Sequence, residues 1–236
     1  MIGYTVSAPP ILECSTKKNM KKILLLLGAC FLIVHTSHAK TASVKMTKII
    51  TRDTSPDVPR TSFVAKPRTL YRIGETYGRV EEELDPDHNI QGLIIVSEPK
   101  IWIINLWNKT GRFMIDPSPS YVFRAPVIPP EGPGQEQPLK DFEYGREYEF
   151  LHSNHATHGK EILDGKSYDK LYLTIDGFTI SLLSHAGEER PYRMTIIKGQ
   201  KLVLQVDYDY YKRDLEPQMT LFELPKNIQI IETNES

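Results

Sequence analysis

A chain of 236 residues with 29 Lys and Arg against 30 Asp and Glu, and so a net charge of -1, is a poor nucleic-acid binder, because phosphate recognition needs clustered cations. With 40% apolar and 25% charged residues and only two cysteines, its stability has to come from an ordinary core rather than from a disulfide framework.

The first element in chain order is "NMKKILLLLGACFLIVHTSHAK", where Lys21 and Lys22 precede an apolar run from Ile23 to Val34. That run is shorter than the roughly 20 apolar residues a membrane span needs. A basic start, a short apolar stretch and the small residues Ser37 and Ala39 predict a secretory signal peptide over residues 1–39, with translation starting at Met20 and cleavage after Ala39. Cys30 in "LLGAC" offers a rival, the lipid-modified cysteine of a bacterial lipoprotein, but the apolar run continues past it to Val34. Cleavage after Ala39 removes Cys14 and Cys30, and with them all thiol chemistry. It also removes Lys17, Lys18, Lys21 and Lys22 against Glu13, which leaves a mature chain near minus four. The expectation is a single exported domain over residues 40–236, periplasmic or secreted, with no transmembrane span in the mature chain and no nucleic-acid partner.

"SVKMTKII" reads as a first strand, and residues 52–68, with Pro56, Pro59 and Pro67, as an irregular connection. "RTLYRIGETYGRVEEELD" gives two short extended segments separated by Gly74 and Gly78. A three-stranded meander follows at Leu93 to Ser97, Ile101 to Trp107 and Arg112 to Asp116, divided by the turn residues Glu98-Pro99-Lys100 and Asn108 to Gly111. Its middle strand is apolar on both sides, with Trp102, Ile104 and Leu106 opposite Ile101, Ile103 and Trp107. A one-faced antiparallel sheet would alternate with polar residues, so both faces of this strand need cover. A packed helix or loop supplies it in one reading, and a cavity for a hydrophobic ligand in the other.

Residues 117–140 hold seven prolines, from Pro117 to Pro138, and proline cannot donate to a sheet ladder. A crossing loop of that length in a compact domain is usually functional or disordered, and it is read here as a candidate lid or rim. Asp141 to His152 is the nearest approach to a helix, although its charged and aromatic residues also fit an alternating strand. Beyond it, "KLYLTID", "FTISLLS", "YRMTIIKG", "KLVLQVDYDYY" and "LFELP" are strand-length runs between turn residues. Phe178, Ile180 and Leu182 share one face of their strand, as do Leu202, Leu204, Val206 and Tyr208 of theirs. About eight to eleven strands in sequential order, with few helices, predict a mainly β (α+β) domain built on a curled antiparallel sheet or barrel.

Catalytic signatures are missing. No G-x-S-x-G elbow or phosphate-cradling glycine loop occurs, and Glu81, Glu82 and Glu83 read as a solvated run. The chain is therefore expected to be non-enzymatic and to need no cofactor. His152, His155 and His158, at equal three-residue spacings in "HSNHATHGKEILDGKSY", are the one candidate metal set. Three converging imidazoles can hold zinc or copper, and only a helical or loop geometry would bring these together. The neighbouring Ser153, Asn154, Ala156 and Thr157 favour solvated histidines on a turn.

The order of "TLYRIGETYGRVE", "IWIINLWNKTGRFMIDPSPSY", "GKEILDGKSYDKLYL", "YRMTIIKGQKLVLQVDYDYY" and "LFELPKNIQII" resembles the LolA-like superfamily of secreted bacterial proteins, over roughly residues 43 to 231. "GKEILDGK" and the Phe-x-x-Pro of Phe222 to Pro225 are its most telling pieces. The resemblance implies an unclosed antiparallel half-barrel whose concave side, covered by helices or loops, holds acyl chains. It also implies carriage of lipids or lipoproteins, as in outer-membrane lipoprotein sorting, without catalysis. No binding residue of the family transfers position by position, and the chain departs from the carriers in having few helices to plug the cavity. Trp102, Ile104, Leu106, Phe113, Phe178, Ile180 and Leu182 are the candidate cavity or core residues. The expected partner is a lipid or an acylated lipoprotein; the alternative is an envelope protein docking on a half-barrel whose apolar face is simply core.

Overall fold

The structure, a computed structural model, describes residues 44–62, 65–117, 120–128 and 139–231. The expected signal peptide, its cleavage point, Cys30 and the middle of the proline-rich loop lie outside the described residues.

Strands β1 (Met46–Asp53), β2 (Arg68–Ile73), β3 (Tyr77–Glu82), β4 (Gly92–Ser97), β5 (Lys100–Asn105) and β6 (Thr110–Ile115) form one meander. A second consists of β7 (Thr157–Leu163), β8 (Lys166–Ile175), β9 (Phe178–His185), β10 (Pro191–Lys198) and the long β11 (Lys201–Leu215). β1 pairs antiparallel with β11 and joins the two. With the short β12 (Gln229–Ile230), which lies parallel to β6, the strands make one twelve-stranded sheet in the order β12-β6-β5-β4-β3-β2-β1-β11-β10-β9-β8-β7. β12 and β7 are its edges, so the sheet is an open half-barrel, as the sequence led one to expect.

Local chemistry explains the hairpins. Asp164-Gly165 and Asp176-Gly177 both take positive φ at the two turn positions, the conformation that twists with the flanking strands and that Asp-Gly favours. The short helix α1 (Glu147–Ser153) falls inside the stretch that fitted either a helix or a strand. "LFELP" corrects the strand expectation: Met219–Phe222 is a single 3-10 turn. Its apolar residues pack on the face of the sheet instead of adding to its edge, because Phe222 is buried against Tyr77 at 5.5 Å between ring centroids.

Cross-strand register sorts the side chains. Ile49, Leu70, Val80, Ile94 and Ile103 are successive partners across β1 to β5 and share one face. The neighbouring row, Lys48, Tyr71, Arg79, Ile95, Trp102 and Phe113, takes the other. On the inner face, which carries α1, Ile180, Leu182, Met194, Ile196 and Val206 pack with Tyr148, Leu151, Phe142 and Phe123 into the larger core. The outer face of the first meander holds a second core, where Leu93, Ile95 and Ile104 are covered by Leu221, Phe222 and Ile228 of the C-terminal segment. Among the described residues no helix is long and apolar enough to cross a membrane.

Candidate functional site

Alternating apolar positions on β1 to β5 form the floor of a cavity of about 780 Å³. Leu70, Val80, Val96 and Ile101 supply the floor, Leu204 and Val206 of β11 one side, and Val122, Phe123 and Val127 of the proline-rich loop the roof. The described part of that loop lies across the inner face, as the lid reading proposed.

Backbone bonds position the roof. The Phe123 N–H donates to the Glu75 carbonyl at 2.8 Å, Val127 N–H to Phe142 carbonyl at 3.0 Å, and Tyr144 N–H to Ala125 carbonyl at 2.9 Å. The Phe123 ring rests directly on Gly78: a Cβ there would lie 2.3 Å from ring carbons, well inside contact distance. The Arg72 guanidinium sits 5.6 Å from the same ring's centroid, a cation–π distance. Arg72 in turn pairs with Glu143 at 2.7 Å, and the two side chains are only 4% and 1% exposed. Arg72 also donates to the carbonyls of Gly74 at 2.9 Å and Tyr144 at 3.1 Å. Arg124 of the roof reaches the second Glu143 oxygen at 2.8 Å. One buried carboxylate thus joins floor, roof and the approach to α1, and removing one member of such a pair would leave an uncompensated charge.

The polar rim is mostly engaged. Arg52 donates through Nε to Asp209 at 2.8 Å, Lys66 to the Leu84 carbonyl at 2.7 Å, and Arg68 lies 3.1 Å from Glu82. At the other end of the cavity, burial first and the neighbouring Asp116 carboxylate second raise the Glu98 carboxyl above the ordinary glutamate range.

Beside the cavity, α1 fills the rest of the inner face. Its Glu147 is fully buried and accepts hydrogen bonds from the hydroxyls of Tyr208 at 2.9 Å and Tyr211 at 3.3 Å, both on β11. Burial raises its carboxyl, and backbone donors at Gly145 and Glu147 together with the two tyrosines pull the other way. Tyr148 bonds Ser184 of β9 at 2.6 Å, so the helix is tied to two strands.

None of the seven side chains picked from the strand runs lines this cavity. Trp102, Ile104 and Leu106 belong to the outer core beneath the C-terminal segment. Phe113 lies tilted against Trp102, at 5.7 Å between ring centroids, and is 41% exposed. Phe178, Ile180 and Leu182 lie in the inner core with α1. From β5 the cavity takes Ile101, on the side opposite Trp102 and Ile104. Phe123 and Gly78 seat the roof; the sequence reading missed Phe123 and took Gly78 for a separator, whereas the apolar residues inside the proline-rich loop and a glycine within a strand were the available signals.

The histidines do not converge. His152 is in the last turn of α1, His155 stands in the following turn at φ 55°, and His158 is in β7, all three exposed. The His152 and His158 rings stack at 5.9 Å, with His152 Nε2 3.5 Å from Glu189. Among the described residues no group of three or more His, Cys, Asp or Glu side chains is placed to hold a metal ion.

No family model matches the chain, and no curated protein matches its sequence. Among solved structures it is similar to an uncharacterized conserved protein from Thermus thermophilus, at 15% identity over 81% of this chain and 92% of that one, with a TM-score of 0.43. It is also similar to a chain of the Pseudomonas aeruginosa MucA/MucB complex, at 8% identity, 81% and 59% coverage and a TM-score of 0.40. A structure of MucB in complex with MucA(peri) gives 8% identity, 80% and 57% coverage and a TM-score of 0.33. The chain spans less than two thirds of the length of the two chains from these complexes. Likenesses this distant say nothing about ligand or partner.

Proposed function

We propose that this chain is a non-enzymatic, LolA-like protein of the bacterial envelope that holds the acyl part of a lipid or lipoprotein between its sheet and its proline-rich loop. The observation that carries the reading is the roofed cavity of about 780 Å³ with aliphatic walls. Small-molecule sites fall at about 300–1,000 Å³ and are mostly apolar with few polar groups, and this one fits. Burying one large aliphatic side chain is worth about 1.5–3 kcal/mol, so an acyl chain laid along Leu70, Val80, Val96 and Ile101 would be held by the same force that builds the core.

A specific feature favours a second reading, an envelope protein as partner. Among the described residues β12 pairs only with Thr110 and Gly111 of β6, and beyond them Phe113, Met114 and Ile115 are exposed; an apolar strand edge of this kind can accept an added strand. Native mass spectrometry of the protein isolated from a periplasmic extract separates the two. A bound lipid mass is expected; a bare chain accompanied by a polypeptide would replace the lipid reading with the partner reading.

A further inference from the structure

β12 and the rest of β6 form one edge of the sheet and β7 the other, and the two edges differ in chemistry. β7 presents an exposed Lys160 and, next to it, Glu161, paired with Lys170 at 2.8 Å; charges of this kind keep an edge from adding strands. On β6, beyond the two residues that β12 covers, Phe113, Met114 and Ile115 are exposed in succession.

The backbone of β6 limits what can add there. The N–H groups of Gln229 and Ile231 donate to the carbonyls of Lys109 and Gly111 at 2.9 and 2.8 Å. Residues of a strand alternate in the side to which they turn their hydrogen-bonding groups. Phe113 and Ile115 therefore turn theirs to the same open side, and no backbone bond meets them there among the described residues. Asp116 turns inward, with its N–H on the Pro99 carbonyl at 2.8 Å.

A second β6 can lie antiparallel on this edge in few symmetric registers. Centred on Phe113 or nearer the start of the strand, the pairing reaches Gly111, where β12 already lies. Centred on Ile115, it sets Phe113 against Pro117, which has no N–H to give. Centred on Met114, it sets Phe113 of each copy against Ile115 of the other, and each such pair exchanges both of its backbone bonds.

We propose that the open part of β6 is an interface between two copies of this chain, joined antiparallel about a two-fold axis at Met114. The side chains agree with that register. On the outer face, Ile115 of one copy falls opposite Phe113 of the other, beside the Trp102 that pairs with it. On the inner face, Met114 meets its own counterpart, next to Ile101 of the cavity wall. Arg112, exposed and without an ion pair among the described residues, comes opposite Asp116 of the second copy, and opposite charges at facing positions favour a register. So short a contact stands at the small end of specific interfaces, and the dimer should form as concentration rises. The inference concerns the sheet edge and does not depend on what the cavity holds.

The test is sedimentation equilibrium of the purified protein over a roughly hundredfold range of concentration. Wild type should move from the mass of one chain to that of two. Met114→Lys sets like charges against each other at the axis and should shift that transition to at least about tenfold higher concentration. Circular dichroism checks that the variant is folded, and Ile115→Lys, expected to act in the same way, stands in if it is not. Under mild oxidation Met114→Cys should give a disulfide-linked dimer, because facing residues of such a pair lie within disulfide reach, in excess of any that wild type forms through Cys14 or Cys30. Uptake of Nile red, an uncharged apolar probe of the cavity, should be alike in wild type and Met114→Lys, so that failure of this interface and failure of the acyl-cavity reading are told apart. A single-chain mass at every concentration, a dimer indifferent to both lysine substitutions, or a Met114→Cys protein that links to another polypeptide instead of to itself overturns the interface.

Discussion

The two halves of the inner face are built from the same kind of strand and finished differently. Over β8 to β11, the row Ile180, Leu182, Met194 and Ile196 is completely buried under α1, whose Tyr148 and Leu151 fill the space against it. Over β1 to β5, Leu70, Val80 and Ile101 face a cavity roofed by a loop. An antiparallel strand needs its apolar row covered but does not specify by what. A helix tied by hydrogen bonds to β9 and β11 makes the first half solid. A proline-rich segment laid across the strands leaves a cavity over the second half.

The largest effect expected from this contrast is on stability. Leu182→Ala empties a site that α1 and its neighbours fill, and should cost about 2–5 kcal/mol, read as a lower midpoint in denaturant unfolding. Ile101→Ala trims a wall that already faces open space and should cost less than about 2 kcal/mol while weakening probe uptake. Equal losses of stability with uptake unchanged would show that both halves are packed core.

A smaller effect concerns the seat of the roof. In Gly78→Ala the new methyl meets the Phe123 ring, and overpacking of this kind costs roughly 1–3 kcal/mol. The ring should leave its seat, and a bound probe should dissociate faster in stopped-flow dilution. Because Phe123→Ala removes the clash, the double variant should lose less stability than the sum of the two single ones. Additive losses would mean that Phe123 is not what Gly78 accommodates.

The smallest effect tests the helix. Glu147 titrates above the ordinary glutamate range because it is buried, so its folded value exceeds its unfolded one. The stability it contributes is fully present below the unfolded value and is lost as pH rises through the folded one. Thermal melts of wild type should therefore fall, relative to Glu147→Gln, over that interval. Parallel profiles would mean that its hydrogen bonds offset the cost of burying the charge.

Much of this contrast was legible before the structure, though not its assignment. The two apolar sides of β5 announced that both faces needed cover, yet alternation alone cannot say which side curves around a cavity. The C-terminal segment, an apolar run that reads as a strand, decides it by lying across Trp102, Ile104 and Leu106. Gly78 looked like a break between segments and lies inside β3; its contact is with Phe123, far along the chain, and local spacing cannot reveal it. Glu143 and Glu147 sit in a charged run that resembles solvent-facing sequence. Partners from far along the chain, Arg72 of β2 and Arg124 of the roof for Glu143 and the tyrosines of β11 for Glu147, make their burial tolerable.

Photo-crosslinking with a fatty acid carrying a diazirine along its chain, followed by peptide mapping, tests the container most directly. The label should fall on the cavity floor at Ile94 to Ile101 and on the roof at Val122 to Val127, and native lipid should compete it away. Labelling confined to Trp102, Ile104 and the covering residues Leu221 to Ile228, or to Phe178 to Leu182, would contradict the account.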